Sequence, residues 1–168
     1  MLFVAIVALA GGETPRAAYA LLASWSYATR VDWLRVHILW GDERCVSPDH
    51  RNSNYRLVHQ VLLSKIPIPT VNVHRILGET EPAWAAMAYE SELETLLGSD
   101  GRFDLILLGM GEDGHTASLF PYTNILGNNT AWTGSIHSDE QDMDRVTLMP
   151  TVFNQARKVV FLVAGNAK

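Results

Sequence analysis

With 168 residues, 48% of them hydrophobic, the chain is long enough for one well-buried domain and too short for two of ordinary size. A formal net charge of −5 excludes the basic footprint that nucleic acid or an anionic membrane would need, so any positive charge that matters must be local. One cysteine, Cys45, excludes an internal disulfide and a cysteine-based zinc cluster, which fits a reducing compartment, by default the cytoplasm.

Taken in chain order, Met1 to Ala10 is almost wholly apolar. It has no basic flank, is too short to span a bilayer and runs without a cleavage signal into Gly11-Gly12-Glu13-Thr14-Pro15, so Leu2 to Leu9 reads as a buried strand. Pro15 suits a first helical turn, and the Ala- and Leu-rich Ala17 to Trp25 continues that helix. Leu34 to Trp40 is a second strand, closed by Gly41 and the charged triplet Asp42-Glu43-Arg44. Asn54 to Leu63 carries a helical stripe at Leu57, Val58, Val61 and Leu62. Glu81 to Leu97, opened by Pro82 and stopped by Gly98, is the clearest helix. Phe103 to Leu108 and Lys158 to Val163 are further strands, and the polar Asn124 to Asp144 stretch between them reads as a surface loop able to act as a lid. Strands alternating with helices, none showing clean two-residue alternation throughout, predict a doubly wound, mostly parallel α/β sheet with helices on both faces. There is no internal repeat, low-complexity tract or interdomain linker. The tryptophans and methionines are assigned to the core.

Ligands of such sheets bind outside the carboxyl ends of the strands, where every polar cluster of this chain falls. Gly11 to Pro15 sits between strand and helix, where exposed N–H groups favour an anion, although glycine is also used at such turns for steric reasons and Glu13 repels an anion. Asp42-Glu43-Arg44 offers a guanidinium for an oxyanion, or only a structural ion pair. The segment Gly109 to Pro121 is the most informative: Gly109, Gly111 and Gly114 leave room for a ligand beside Asp113 and His115. His115 is either a general base or a residue that merely hydrogen-bonds its loop. His37, His50, His59, His74 and His137 lack ligand spacing and are read as structural or solvated. No nucleophile elbow, Walker lysine or His-Glu-x-x-His pattern occurs, and Cys45 reads as a small buried residue.

Gly-Gly-x-Thr-Pro at Gly11 to Pro15, Asp42-Glu43-Arg44 with Ser53-Asn54, and Gly-x-Gly-x-Asp-Gly-His-Thr-Ala-Ser-Leu-Phe-Pro at Gly109 to Pro121 resemble the 6-phosphogluconolactonase family. Arg145-Val-Thr-Leu and Gly165-Asn-Ala-Lys168 continue the likeness in the same order, over essentially the whole chain as one domain. The resemblance implies hydrolysis of 6-phospho-D-glucono-1,5-lactone to 6-phosphogluconate in the oxidative pentose phosphate pathway. It implies neither metal nor organic cofactor, and possible association with glucose-6-phosphate dehydrogenase. It makes His115 the base, with Asp113 orienting it or its loop. It sets Gly11, Gly12, Thr14, Asp42, Arg44, Asn54, Gly109, Gly111, Gly114, Arg145 and Lys168 against the substrate. Arg145 and Lys168 form the expected phosphate clamp, and an N–H near Gly11, Gly12 or Gly111 the oxyanion site. Glucosamine-6-phosphate deaminases share the fold but carry Asp-Glu-Tyr and Gly-His-Ile-Ala-Phe-Asn-Glu-Pro, where this chain has Arg44 and Thr116 to Pro121. Two alternatives are kept: a deaminase-like enzyme and a sugar-phosphate-binding remnant without turnover. The chain departs from the family in its first turn, where Ala10 and Glu13 replace two serines, and family members extend beyond both ends, so an incomplete domain is expected.

Overall fold

The computed structural model describes residues 4–98, 101–127, 130–138 and 142–165. Four strands form a parallel sheet: β1 (Ala5–Leu9), β2 (Val36–Trp40), β4 (Leu105–Leu108) and β7 (Val159–Phe161), in the order β2-β1-β4-β7. β1 is central, registering Val7 with Leu105 on one side and with Ile38 on the other. The chain therefore leaves β1 toward β2 and later returns to its opposite side, which makes the carboxyl ends of β1 and β4 the topological switch point.

The helices are α1 (Glu13–Leu22), α2 (Trp25–Ala28), α3 (Asn54–Val61), α4 (Pro82–Leu97) and α5 (Pro150–Gln155). α4 follows its sequence signals closely: Glu81 caps the N–H groups of Ala83 and Trp84, Pro82 fills the first turn, and Gly98 ends it at φ 66°. Its buried stripe, Ala85, Ala86, Tyr89 and Leu93, joins Ala8, Leu9, Ile38, Leu39, Trp40, Ile106 and Leu108 in the core. Removing Leu93 from water alone contributes about 1.5–3 kcal/mol. Two tyrosines close the strands in the same way. Tyr19 Oη of α1 accepts the Ala10 N–H (3.0 Å) and donates to the Ala10 carbonyl (2.9 Å). Tyr89 Oη does the same for Trp40, both at 2.9 Å. Backbone groups that the ladder leaves unpaired at the start of the cleft are thus satisfied, and burial pushes both phenols well above their usual pKa, so they stay neutral.

The structure corrects several expectations. The second strand begins at Val36 rather than Leu34, because Trp33–Arg35 forms a 3-10 turn that buries Trp33. The last strand is trimmed to Val159–Phe161, and the described part of the first begins at Ala5. The stretch read as a surface loop instead contains β5 (Thr133–Ser138) and the start of β6 (Met143–Leu148), an antiparallel pair to which β3 (Asp42–Arg44) adds a third strand. Beside the core residues Val146 and Leu148, it buries polar side chains that hydrogen-bond: Thr133 to Ala86 and Glu90, and Thr147 to the Gly41 carbonyl. Polar content therefore marked a partnered second sheet, not solvent. Trp33 and Trp40 are buried, but Trp25, Trp84 and Met87 are exposed, so aromatic and methionine content overstated the core. His37 and His74, read as structural or solvated, make structural contacts: they pair at 2.8 Å, and His74 Nδ1 meets Glu92 Oε1 at 2.6 Å.

Candidate active site

A cleft of about 330 Å³ opens over the carboxyl ends of β1 and β4. Gly11, Gly12, Thr14, Asp42, Arg44, Asn54, Gly109, Gly111, His115 and Arg145 line it, with Ala10, Glu13, Pro15, Met110, Ala117 and Leu162 completing the wall. Asp113 and Gly114 lie behind His115 in the same loop, and Lys168 lies outside the described residues.

The His115 loop is built on its own hydrogen bonds. The Gly111 N–H donates to the His115 carbonyl (2.8 Å), the Gly114 N–H to the Gly111 carbonyl (3.2 Å), and Thr116 Oγ1 to the Gly109 carbonyl (2.9 Å). Gly114 adopts φ 86° and Ala117 φ 50°, a left-handed conformation that costs an alanine about 1–2 kcal/mol. A Cβ on Gly111 would collide with Nδ1 and Cε1 of His115. Glycine here makes room for the imidazole, and because its N–H is already donated, Gly111 is removed from the oxyanion donors expected from sequence. The N–H groups of Gly11 and Gly12 meet no acceptor among the described residues and remain available.

Asp113 Oδ1 accepts both the backbone N–H of His115 (3.0 Å) and its ring Nδ1–H (2.6 Å). The backbone hydrogen bond, with the imidazole behind it, holds the Asp113 carboxyl below the usual carboxylate range. An ionised Asp113 assigns the ring hydrogen to Nδ1 and leaves the Nε2 lone pair free. The ring stands beside Phe120, with centroids 4.5 Å apart.

The positive side of the cleft comes from the second sheet. β3 and β6 pair so that Arg44 lies directly opposite Arg145. Such partners have Cβ atoms about 4.5–5.5 Å apart, and like charges in that relation repel. Arg145, almost wholly buried, is 3.6 Å from Asp42 Oδ2, which also accepts from Ser118 Oγ at 2.8 Å. Asp42 Oδ1 accepts from Asn54 Nδ2 at 3.1 Å. Both oxygens of the Asp42 carboxylate are therefore engaged by protein, and it serves to hold Arg145 and Asn54. Arg44 donates Nη1 to the Asn52 carbonyl (2.6 Å) but has no carboxylate within ion-pair distance among the described residues. Arg44, more than Arg145, is the uncompensated cation of the wall.

Glu43 points away from this charge. Its carboxylate accepts from the N–H groups of Arg44 (2.8 Å), Asn54 (2.7 Å) and Tyr55 (2.7 Å) and from Ser53 Oγ (3.0 Å), fixing the start of α3 and so Asn54; burial still pushes its pKa up. Asn54 packs its Oδ1 against Gly11 so closely that a Cβ there would overlap it. Glu13 is exposed and pairs with Arg16 at 3.3 Å. Sequence reasoning did not single out Ser118 or Phe120 as parts of the site. Both stood inside the most specific motif, but a buried serine bonded to a distant aspartate gives no local signal. Among the described residues no group of histidines, cysteines and carboxylates is arranged to hold a metal ion, and no helix is long and apolar enough to cross a membrane.

Comparison with known proteins places this geometry in context. The family model for glucosamine-6-phosphate isomerases/6-phosphogluconolactonase matches residues 3–168. A 6-phosphogluconolactonase of Aggregatibacter actinomycetemcomitans is 41% identical over 163 residues, covering 96% of this chain and 69% of the relative. That of Haemophilus influenzae is 40% identical over the same shares. The crystal structure of 6-phosphogluconolactonase from Thermotoga maritima superposes with a TM-score of 0.88 at 34% identity, covering 99% of this chain and 72% of that one.

Proposed function

The chain belongs to the family of glucosamine-6-phosphate isomerases and 6-phosphogluconolactonases, and on that premise we propose how its cleft works. It hydrolyses 6-phospho-D-glucono-1,5-lactone to 6-phosphogluconate, the lactone-opening step of the oxidative pentose phosphate pathway. The observation that carries the mechanism is one cleft holding a carboxylate-oriented histidine opposite a cross-strand pair of arginines.

His115 Nε2 takes a proton from a water molecule as the water oxygen bonds to the lactone carbonyl carbon. The carbonyl oxygen becomes an oxyanion, which the N–H groups of Gly11 and Gly12 receive. Collapse of this tetrahedral species breaks the bond between the carbonyl carbon and the ring oxygen, and the ring oxygen takes the proton back from the imidazolium. The product is the open-chain acid, which then ionises. Asp113 keeps Nδ1–H fixed and stabilises the imidazolium while it exists, and a base so placed contributes roughly 10²–10⁴ in rate. Arg44 and Arg145 receive the phosphate. An acidic protein thereby binds an acidic substrate through two local cations. Work in the cytoplasm beside glucose-6-phosphate dehydrogenase, the source of the lactone, suits this chemistry; cell fractionation and co-purification would each expose a wrong assignment.

The test is a coupled assay of lactone hydrolysis above the spontaneous background, with wild type and His115→Ala side by side. His115-dependent acceleration is expected. A folded wild-type chain that gives none would defeat the reading and bring forward the non-catalytic sugar-phosphate binder, while release of ammonia from glucosamine 6-phosphate would bring forward the deaminase.

A further inference from the structure

We propose that Phe120 is a positioning residue of the reaction, holding the His115 ring in line with the cleft and sustaining it while it carries the proton. The inference rests on the lactonase reading above. Phe120 does not line the cleft, yet its ring is the aromatic neighbour of His115, with centroids 4.5 Å apart and planes at 43°, and the Arg145 guanidinium carbon lies 5.5 Å from its centroid. It therefore stands between the base and one of the arginines.

The two neighbours depend on it unequally. Arg145 is fixed without it, by its place in β6, by Asp42 at 3.6 Å and by Ser118 Oγ at 3.5 Å. Among the described residues, the His115 ring otherwise makes one hydrogen bond, from Nδ1 to Asp113, a residue that is itself exposed, and packs on one side against Gly111. One hydrogen bond fixes an edge of an imidazole but leaves the ring free to swing about that edge. A packed aromatic neighbour removes the swing. Phe120 can do so because its own segment is anchored: Ser118 is tied to Asp42 and Thr147 in the second sheet, the Leu119 N–H donates to the Thr116 carbonyl (2.9 Å), and Thr123 Oγ1 donates to the Phe120 carbonyl (2.7 Å). The π face next to His115 also favours the cationic ring that forms when the base takes its proton. The order of the second sheet is in this way transmitted to the base.

The test compares Phe120→Leu, which keeps apolar bulk without a ring, with Phe120→Tyr, which keeps the ring, in steady-state hydrolysis of 6-phosphogluconolactone. Affinity for 6-phosphogluconate is measured by calorimetry in parallel. Phe120→Leu is expected to lower kcat roughly threefold to tenfold, while KM and product affinity stay within about twofold and Phe120→Tyr stays close to wild type. An unchanged kcat in Phe120→Leu overturns the proposal, as does a rise in KM at constant kcat, or a Tyr variant as slow as the Leu variant. Should Phe120→Leu fail to fold, Phe120→Met is read by the same criteria. A wild-type chain that does not accelerate hydrolysis would instead defeat the functional reading itself, before any Phe120 variant is compared.

Discussion

Replacing Arg44 by alanine separates recognition of the phosphate from the chemistry of the lactone. In the structure Arg44 lies opposite Arg145, lines the cleft and lacks a carboxylate partner among the described residues. Its loss removes one hydrogen bond within the protein, from Nη1 to the Asn52 carbonyl, and also relieves the repulsion with Arg145. These effects oppose each other, so thermal stability should change by less than about 1 kcal/mol. Toward substrate the change is one-sided. A hydrogen bond to a charged group contributes roughly 1.5–3 kcal/mol, which corresponds to a fall of about 10- to 150-fold in kcat/KM, carried by KM. Because the interaction is with the phosphate, hydrolysis of unphosphorylated glucono-1,5-lactone should be almost untouched. The assay is kcat/KM for both lactones, in wild type and variant, at two salt concentrations. A variant that loses equally on both lactones, or loses kcat at constant KM, would refute the assignment of Arg44 to the phosphate.

Gly111→Ala should fold, since the atoms nearest the new methyl are the His115 ring and the Asp113 carboxylate, both movable side chains, yet lose much of the roughly 10²–10⁴ that a placed base contributes, because His115 must move; kcat with a thermal melt tests both halves. Asp42→Ala removes the carboxylate that meets Arg145, Ser118 and Asn54 in the buried wall and should destabilise the fold by about 1–3 kcal/mol in denaturant titration, and a stability unchanged from wild type would contradict the network described. The Asp113 pKa is held down in the folded protein, so its contribution to stability is present above the unfolded carboxylate value and is lost as pH falls through the folded one. The Tm difference between wild type and Asp113→Asn should therefore be full at neutral pH, begin to shrink near about pH 4 and vanish only below the depressed folded value; a difference that grows in acid would reverse the argument.

The Gly109 to Pro121 loop and the α4 helix were legible in sequence because their determinants are local. Gly111 must be small for a histidine four residues on, and Glu81, Pro82 and Gly98 bracket their helix by capping rules that act within a turn. The Thr133–Leu148 hairpin was not legible. Its strands alternate modestly, and what stabilises its polar inner residues is Glu90 and Ala86 on α4, more than forty positions away. Asp42 shows the same limit from the side of function: in sequence it is one carboxylate beside an arginine, and the group it restrains is Arg145, a hundred residues downstream.

The sequence by itself determined the parallel α/β class and the position of the His115 loop at a strand end, since strand runs, glycine spacing and motif order are written in neighbouring residues. Only the tertiary structure decided that Arg44 faces Arg145, that Asp42 is engaged in holding one of them, and that Phe120 stands against His115. Those relations arise when β3 and β6 pair although α3, α4, β4 and β5 separate them in the chain, and the register of such a pairing is set by burial on the assembled sheet, not by any local preference.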